Sequence, residues 1–170
     1  MSRELEPAVA SSNVGFVLMR DVCIQIEMAL RSARAREACG FLLGQPGEVE
    51  HRVVRLVTVR NVAEEVRAFA VSSHDRERVL QFAQDEGLAP LALFHTHLSP
   101  SAGLSEKDRA GLRSSDLHWC VAARAPVDSA GACGDFALRF YDRHTARELS
   151  WRDELLPTGR SETAGADAGS

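Results

Sequence analysis

The amino-acid sequence predicts a single α/β domain. Its 170 residues suffice for one hydrophobic core, and no segment repeats another. Short apolar runs typical of strands alternate along the chain with segments whose apolar residues recur at helical spacing. The small, polar composition after residue 156 predicts a disordered tail. We therefore expect a flexible N-terminus at 1–13, a folded domain at 14–156 and a tail at 157–170.

The first half of the chain predicts four strands and one helix. Residues 14–19, VGFVLM, are an apolar run that indicates a buried strand. Residues 20–36 repeat apolar positions at helical spacing and end in arginines, which favour the exposed carbonyls of a last turn. Residues 38–44 predict a second buried strand, and 51–62 alternate polar and apolar residues as a half-buried strand does. A further short strand is expected at 68–71, AFAV.

The second half continues the alternation. Ser72 and Asp75 have the spacing of a capping box at the start of a second helix, and Gly87 marks its end. Residues 89–97, APLALFHTH, predict a third buried strand that becomes polar only at its end. A third helix is expected at 105–115. The closing strands are predicted at 117–123, 135–142 and 146–154.

The polar end of the third buried strand carries potential metal ligands. His95 and His97 are two residues apart in a strand, so both side chains leave the same face. Asp108 follows in the first turn of the next helix, and two nitrogens with one carboxylate form an open, catalytic type of zinc site. Both parts of this pattern also have structural explanations. Histidines are common near strand ends because they are polar, and Ser105 and Asp108 equally fit a capping box. The combined spacing H-x-H-x(7)-S-x-x-D, however, is expected in roughly one of a thousand shuffled chains.

This spacing resembles the zinc signature of the JAMM metallopeptidases, the JAB/MPN domain family. The segment 37–44, EACGFLLG, is similar to the family's upstream element, a glutamate before an apolar strand rich in small residues. The resemblance covers about residues 14–151. It implies a cytidine-deaminase-like, three-layer α/β fold with a mixed central sheet flanked by helices. The family usually has proline where this chain has Leu98 and Leu104, so the chain departs from the family pattern at both ends of this loop.

The resemblance also implies a function. It predicts a zinc-dependent peptidase or isopeptidase that hydrolyses the amide bond after the C-terminal Gly-Gly of a ubiquitin-like protein. One Zn²⁺ ion would be held by His95, His97 and Asp108, and would lower the pKa of its water toward about 7. Glu37 would be the general base, which takes the proton of the water and passes it to the leaving amine. Ser105 would donate a hydrogen bond to the developing oxyanion.

Other residues near these motifs have packing explanations. Glu106 is a rival base, but adjacent helical residues point about 100° apart, so we expect it to face away from the ion. Thr96 points to the opposite face from its neighbours and is expected in the core, and Cys39 is interpreted as a packing residue. The remaining histidines and the tryptophans have no partner pattern. We expect surface or strand-edge positions for His51, His74, His118 and His144, and core positions for Trp119 and Trp151.

Composition narrows the expected partners and location. A net charge of −4 without a block of like charge argues against nucleic acid. No apolar stretch approaches the roughly 20 residues of a membrane span, and the N-terminus lacks signal-peptide features, so we expect a cytoplasmic protein. The four cysteines have no C-x-x-C pair and are expected as reduced thiols. The expected partners are a ubiquitin-like protein or its conjugate, as substrate, and a second copy in a homodimer.

Two alternative functions belong to different classes of protein. A metal-free JAB/MPN domain could act as a scaffold or protein-binding module without catalysis. An unrelated zinc enzyme is disfavoured, because a nucleobase deaminase would show H-x-E with P-C-x-x-C, and neither occurs. Barrel hydrolases with an H-x-H motif need about 250 residues, which this chain lacks.

Overall fold

A computed structural model of the protein describes residues 14–124, 132–133 and 136–154. The expected flexible N-terminus and disordered tail lie outside the described residues. Strands and helices alternate through most of the described chain, as the sequence predicts. The elements are, in order, β1 Gly15–Leu18, α1 Arg20–Ser32, β2 Cys39–Gln45, β3 Glu50–Val59, α2 Ser73–Asp85, β4 Ala89–His97, α3 Glu106–Arg113, β5 His118–Arg124, β6 Ala132–Cys133, β7 Phe136–Tyr141, β8 Glu148–Leu149 and β9 Trp151–Asp153.

One mixed sheet forms the middle layer of the domain. Within the described residues its strand order is β6-β7-β5-β4-β2-β3-β1-β9, and β8 pairs with β7. Helix α1 contributes Val22 and Ile26 to the core on one face, whereas α2 and α3 contribute Val79 and Leu112 to the other. The expected three-layer α/β architecture with a mixed sheet is therefore confirmed.

Strand β4 is central and has the bounds that the apolar run predicts. It pairs antiparallel with β2 and parallel with β5, so its carboxyl end lies inside the sheet rather than at an edge. In this register Cys39 of β2 faces His95, and Ala123 of β5 faces His97. Both histidines thus emerge between two neighbouring strands.

The helix signals are largely confirmed. Ser72 precedes α2, and its side chain accepts a hydrogen bond from the Asp75 backbone N–H. Gly87 follows α2 with φ of 65°, the left-handed conformation that favours glycine after a helix. Helix α1, however, ends at Ser32, earlier than predicted, and Arg34 lies beyond its last turn.

The strand predicted at 68–71 is wrong. The segment forms no ladder and is held instead by the Asn61 side chain, whose Oδ1 accepts from Ala70 N–H and whose Nδ2 donates to Ala68 O. The Val62 N–H also donates to Ala70 O at 3.0 Å, which closes the loop. A polar side chain therefore satisfies the backbone groups that a neighbouring strand would otherwise pair.

The strand predicted at 146–154 is divided in two. Strand β8 pairs with β7, whereas β9 pairs with β1, so the chain changes partner at Ser150. The Ser150 carbonyl accepts from Phe16 N–H at 2.9 Å, which fixes this crossover.

Three of the four cysteines are buried thiols that form no disulfide; the fourth, Cys133, has a side chain outside the described part. None of the described helices is long and apolar enough to cross a membrane.

Candidate metal centre

Three potential metal ligands converge at the carboxyl end of β4. His95 Nε2 lies 3.1 Å from His97 Nε2 and 3.3 Å from Asp108 Oδ1, and His97 Nε2 lies 3.1 Å from Asp108 Oδ2. Zinc bound to nitrogen and oxygen at about 2.0–2.1 Å in a tetrahedron places its ligands about 3.3 Å apart. The two nitrogens and the two carboxylate oxygens therefore lie at about the spacing of tetrahedral zinc ligands, and the three residues fit a metal ion.

The Asp108 carboxylate has two roles at once. Ser105 caps α3, because its Oγ accepts from the Asp108 N–H at 3.1 Å while Asp108 Oδ2 accepts from the Ser105 N–H at 2.8 Å. Burial alone would raise the pKa of Asp108, but hydrogen bonds with His95 and His97 outweigh it and hold this pKa well below its usual range. Capping and ligand geometry thus coexist, and the carboxylate is charged.

The hydrogen bond of the His97 ring indicates its tautomer. His97 Nδ1 lies 2.7 Å from the Ser101 carbonyl, which can only accept, so Nδ1 carries the proton. Burial would lower the pKa of His97, but hydrogen bonds with Asp108 and the Ser101 carbonyl outweigh it and raise this pKa in the metal-free protein. In the neutral ring that a metal ion requires, Nδ1 keeps its proton and the lone pair is on Nε2, the atom that points at Asp108 and His95. A carbonyl that holds the distal nitrogen of a histidine is a common second partner in metal sites.

Aromatic rings hold His95 in place. This histidine is fully buried, and burial lowers its pKa, so its ring is neutral. Phe69 stacks on it at 4.4 Å between ring centroids, and the Trp119 ring meets it edge-on at 5.4 Å. Gly111 of α3 lets Trp119 approach, since a Cβ at that position would lie 2.7 Å from the indole. These rings keep bulk water away from the buried side of the site.

Glu37 is a buried carboxyl beside the same cluster. It is 7% exposed, and burial raises its pKa to about 7, with Asp108 adding to the rise and His97 and Arg67 opposing it. The next residue, Ala38, is fixed to β4 because its N–H donates to Thr96 Oγ1 and its carbonyl accepts from Thr96 N–H. A carboxyl with this pKa can both accept and return a proton near neutral pH.

The structure separates the predicted site residues by exposure. His95, Asp108 and Glu37 are buried, whereas Ser105 is exposed at the helix start. Glu106 is also exposed, which agrees with the expectation that it faces away. Thr96 and Cys39 are buried, as expected for packing residues, although Thr96 also bonds the segment that carries Glu37.

Sequence reasoning missed the loop at 61–71. Phe69 lies in a stretch that the sequence assigns to a strand, and its contact with His95 joins residues 26 positions apart. A signal was available only in Asn61, whose short polar side chain is typical of local backbone bonding. A hydrogen bond to the sheet holds the loop between Leu98 and Leu104, because Tyr141 Oη of β7 donates to the Ala102 carbonyl at 2.8 Å.

A three-layer α/β domain that carries a His-His-Asp group at the end of its central strand, with a buried glutamate beside it, defines a JAB/MPN-type domain. Residues 21–139 match the family described as prokaryotic homologs of the JAB domain. The chain belongs to this family.

Individual relatives agree with the family. The chain is 28% identical over 90 residues to a desampylase of Pyrococcus furiosus, an alignment of 53% of this chain and 61% of that protein. It thus spans about three fifths of the length of this curated relative. A protein of Desulfitobacterium hafniense solved in solution superimposes with a TM-score of 0.71 at 17% identity, covering 82% of this chain and 92% of that one. A JAB1/MPN domain protein from Archaeoglobus fulgidus superimposes with a TM-score of 0.50 at 16% identity, covering 80% of this chain and 96% of that one.

Proposed function

We propose that the protein is a zinc-dependent peptidase or isopeptidase that cleaves the amide bond after the C-terminal Gly-Gly of a ubiquitin-like protein. The observation that carries this proposal is the convergence of His95 Nε2, His97 Nε2 and Asp108 within 3.1–3.3 Å, with the buried carboxyl of Glu37 beside them. Three donors leave a position open, the arrangement of catalytic rather than structural zinc sites. A zinc ion held there would supply a Lewis acid and lower the pKa of water to about 7.

Glu37 is the proton carrier of the proposed reaction. Its carboxylate takes a proton from the attacking water, and its carboxylic acid returns that proton to the nitrogen of the leaving amine. Burial raises its pKa to about 7 in the metal-free protein, and a bound zinc ion would lower it again, toward the carboxylate that accepts the first proton. Two hydrogen bonds, from Ala38 N–H to Thr96 Oγ1 and from Thr96 N–H to the Ala38 carbonyl, hold this carboxyl at the site without occupying its oxygens.

Ser105 stabilises the oxyanion that develops on the scissile carbonyl. Its Oγ accepts one hydrogen bond, from Asp108 N–H, and its proton is donated to no described residue. The hydroxyl is exposed and fixed by the helix cap, so it is a preorganised donor at the mouth of the site.

One relative supports the proposed substrate class. A desampylase is similar to this chain over more than half of its length, and that name denotes removal of a ubiquitin-like modifier. A Gly-Gly tail has no side chains beyond hydrogen and can enter a site whose mouth is narrow. We extend this substrate class to the present chain, together with a cytoplasmic location.

The test is a panel of ubiquitin-like proteins fused through Gly-Gly to a reporter, incubated with enzyme with and without chelator. We expect cleavage after Gly-Gly that chelation abolishes and zinc restores, and one zinc ion per purified chain. Purified protein that takes up no zinc and cleaves no fusion would instead identify the metal-free scaffold.

A further inference from the structure

A groove lined by arginines adjoins the candidate metal centre. Two neighbouring cavities of about 340 and 380 Å³ share Leu30, Arg34 and Arg124, and one of them is also lined by His97. We call this feature the arginine groove. Arg124 comes directly after Ala123, the residue that pairs with His97, so its side chain leaves the face of the sheet that α1 covers. The groove therefore meets the candidate metal centre at the strand end, where His97 lines it.

The groove combines an apolar floor with positive charge, part of which no described acidic residue neutralises. Leu30 contributes the floor near the centre, and Phe136 lines the far cavity. Arg31 also lines the far cavity, but it forms an ion pair with Glu27 at 2.5 Å and is therefore neutralised.

Arg34 and Arg124 supply the remaining charge. Neither forms an ion pair with a described residue, and Arg124 instead donates to the Leu30 carbonyl at 3.5 Å across the groove. Two exposed guanidinium groups thus face one channel in a protein whose net charge is −4. The groove is therefore positively charged, whereas the protein as a whole carries a net negative charge.

We propose that the arginine groove binds an acidic segment of the substrate, within a few residues of the scissile amide. This inference rests on the proposed peptidase function, because the groove begins at His97 of the candidate metal centre. A peptide segment that leaves the site along this groove passes between the arginines that line it, because His97, Arg34 and Arg124 border the same cavity. Guanidinium groups bind carboxylates through paired hydrogen bonds, and the apolar floor accepts the methylene groups of Asp or Glu side chains.

The experiment uses three fluorescent peptides that contain Gly-Gly and differ only in their flanks. One carries two acidic residues before Gly-Gly, another carries them after it, and the third has Asn and Gln at these positions. Binding is measured by anisotropy to the Glu37→Gln protein loaded with zinc, so affinity is read without turnover. We expect at least one acidic peptide to bind about 3- to 10-fold more tightly than the neutral one, the range of two exposed charge pairs.

Variants assign the preference to the groove. Each is introduced together with Glu37→Gln. In the double variant Arg34→Gln, Arg124→Gln, the ratio of acidic to neutral affinity should fall to about one, because the interacting charges are gone. Arg20→Gln, at the opposite end of α1, is the matched control and should keep the ratio. Circular dichroism melting curves establish that each variant is folded.

The outcomes separate the two proposals. Acidic preference that disappears in the double variant supports the groove, even if wild-type enzyme cleaves none of the peptides or fusions, a result that would count against the peptidase proposal alone. If neither acidic peptide binds more than about 2-fold tighter than the neutral one, or if the preference survives the double variant, the groove inference is overturned. The peptidase proposal would not be affected by that result, because it is tested separately by cleavage of the ubiquitin-like fusions.

Discussion

Two clusters of histidine and aspartate lie at opposite ends of the sheet. One is His95, His97 and Asp108 at the carboxyl end of β4. The other is built from His51 near the start of β3, His118 at the start of β5 and the neighbouring Asp142, where His118 Nδ1 lies 3.8 Å from Asp142 Oδ2. Because β3, β4 and β5 run in the same direction, these starts lie at the end opposite to the candidate metal centre. The same residue types therefore occur twice in one fold.

The two clusters differ in which ring nitrogen is available. In the candidate metal centre, His97 Nδ1 donates to a carbonyl, so Nε2 is the nitrogen that remains for a metal ion. In the second cluster, His51 Nδ1 accepts from Gly47 N–H at 3.2 Å and His118 Nδ1 accepts from Arg143 N–H at 3.3 Å. In these neutral rings the proton is on Nε2, which then cannot ligate.

The second cluster is organised for packing. Phe16 contacts both rings, at 5.2 Å from His51 and 5.7 Å from His118 between centroids. The Asp142 Oδ1 accepts from the Thr145 N–H at 2.8 Å and so closes a turn. The comparison teaches that backbone partners, rather than composition, decide whether a histidine pair can take a metal.

Removal of one ligand has the largest expected effect and tests the comparison directly. His97→Ala should lose the zinc and the cleavage of a Gly-Gly fusion. Its cleavage rate should fall by far more than the roughly 100-fold that removal of a hydrogen-bond partner of a ligand costs. His118→Gln, in the second cluster, should keep one zinc per chain. Metal content measured by mass spectrometry, alongside fusion cleavage, checks both. Equal zinc loss in the two variants would remove the distinction between the clusters.

Glu37→Gln should keep the zinc but lower turnover by about 10²–10⁴-fold, because the amide cannot carry the proton. Glu106→Gln is the matched control, since Glu106 is exposed on α3 next to the same site. It should leave kcat within about 2-fold, as expected for an exposed side chain outside the chemistry. Near-wild-type turnover of Glu37→Gln would show that the base is a different group.

Ser105→Ala should lower kcat by about 10²–10³-fold, the cost of one oxyanion donor. It should also lower the free energy of unfolding by about 1 kcal/mol, because the α3 cap is lost. Ser72→Ala removes the equivalent cap of α2 and separates the two effects. Urea unfolding and steady-state kinetics of both variants should show similar stability losses, with a kcat loss in Ser105→Ala alone. Equal kinetics in the two variants would reduce Ser105 to a helix cap.

The sequence predicts those parts of the molecule whose information is local. The metal-site spacing spans 14 residues of one strand, one loop and one helix turn, and β4 has its predicted bounds. Capping by Ser72 and Ser105 is equally local and was equally predictable. The resemblance to a family, rather than any pattern near it, singled out Glu37 among 14 glutamates.

The parts that escaped prediction depend on contacts between distant segments. Phe69 packs on His95 only because Asn61 folds its loop back toward the sheet. His51 and His118 lie at strand starts, within the expected surface or strand-edge positions, but they contact each other and Phe16 of β1, and no spacing in the sequence links these partners. The order of the strands in the sheet decides which histidines are buried, and the hydrophobic periodicity of the sequence does not report that order.

The smallest expected effect concerns the stability of the second cluster at acid pH. Burial lowers the pKa of His118 from 6.5 to about 4, although Asp142 opposes the shift. Between these values the unfolded chain binds a proton that the folded protein does not, so stability is full above pH 6.5 and falls as the pH drops toward 4. At pH 5 this amounts to roughly 2 kcal/mol.

His118→Gln removes this titration, so its free energy of unfolding should fall by roughly 2 kcal/mol less than that of wild type between pH 7.5 and pH 5. His74→Gln is the control, because His74 is exposed at the start of α2, and it should follow wild type. Urea unfolding at the two pH values measures the difference. If His118→Gln loses as much stability as wild type, His118 is not kept neutral by burial. The contrast between a packing cluster and a ligand cluster would then rest on tautomers alone.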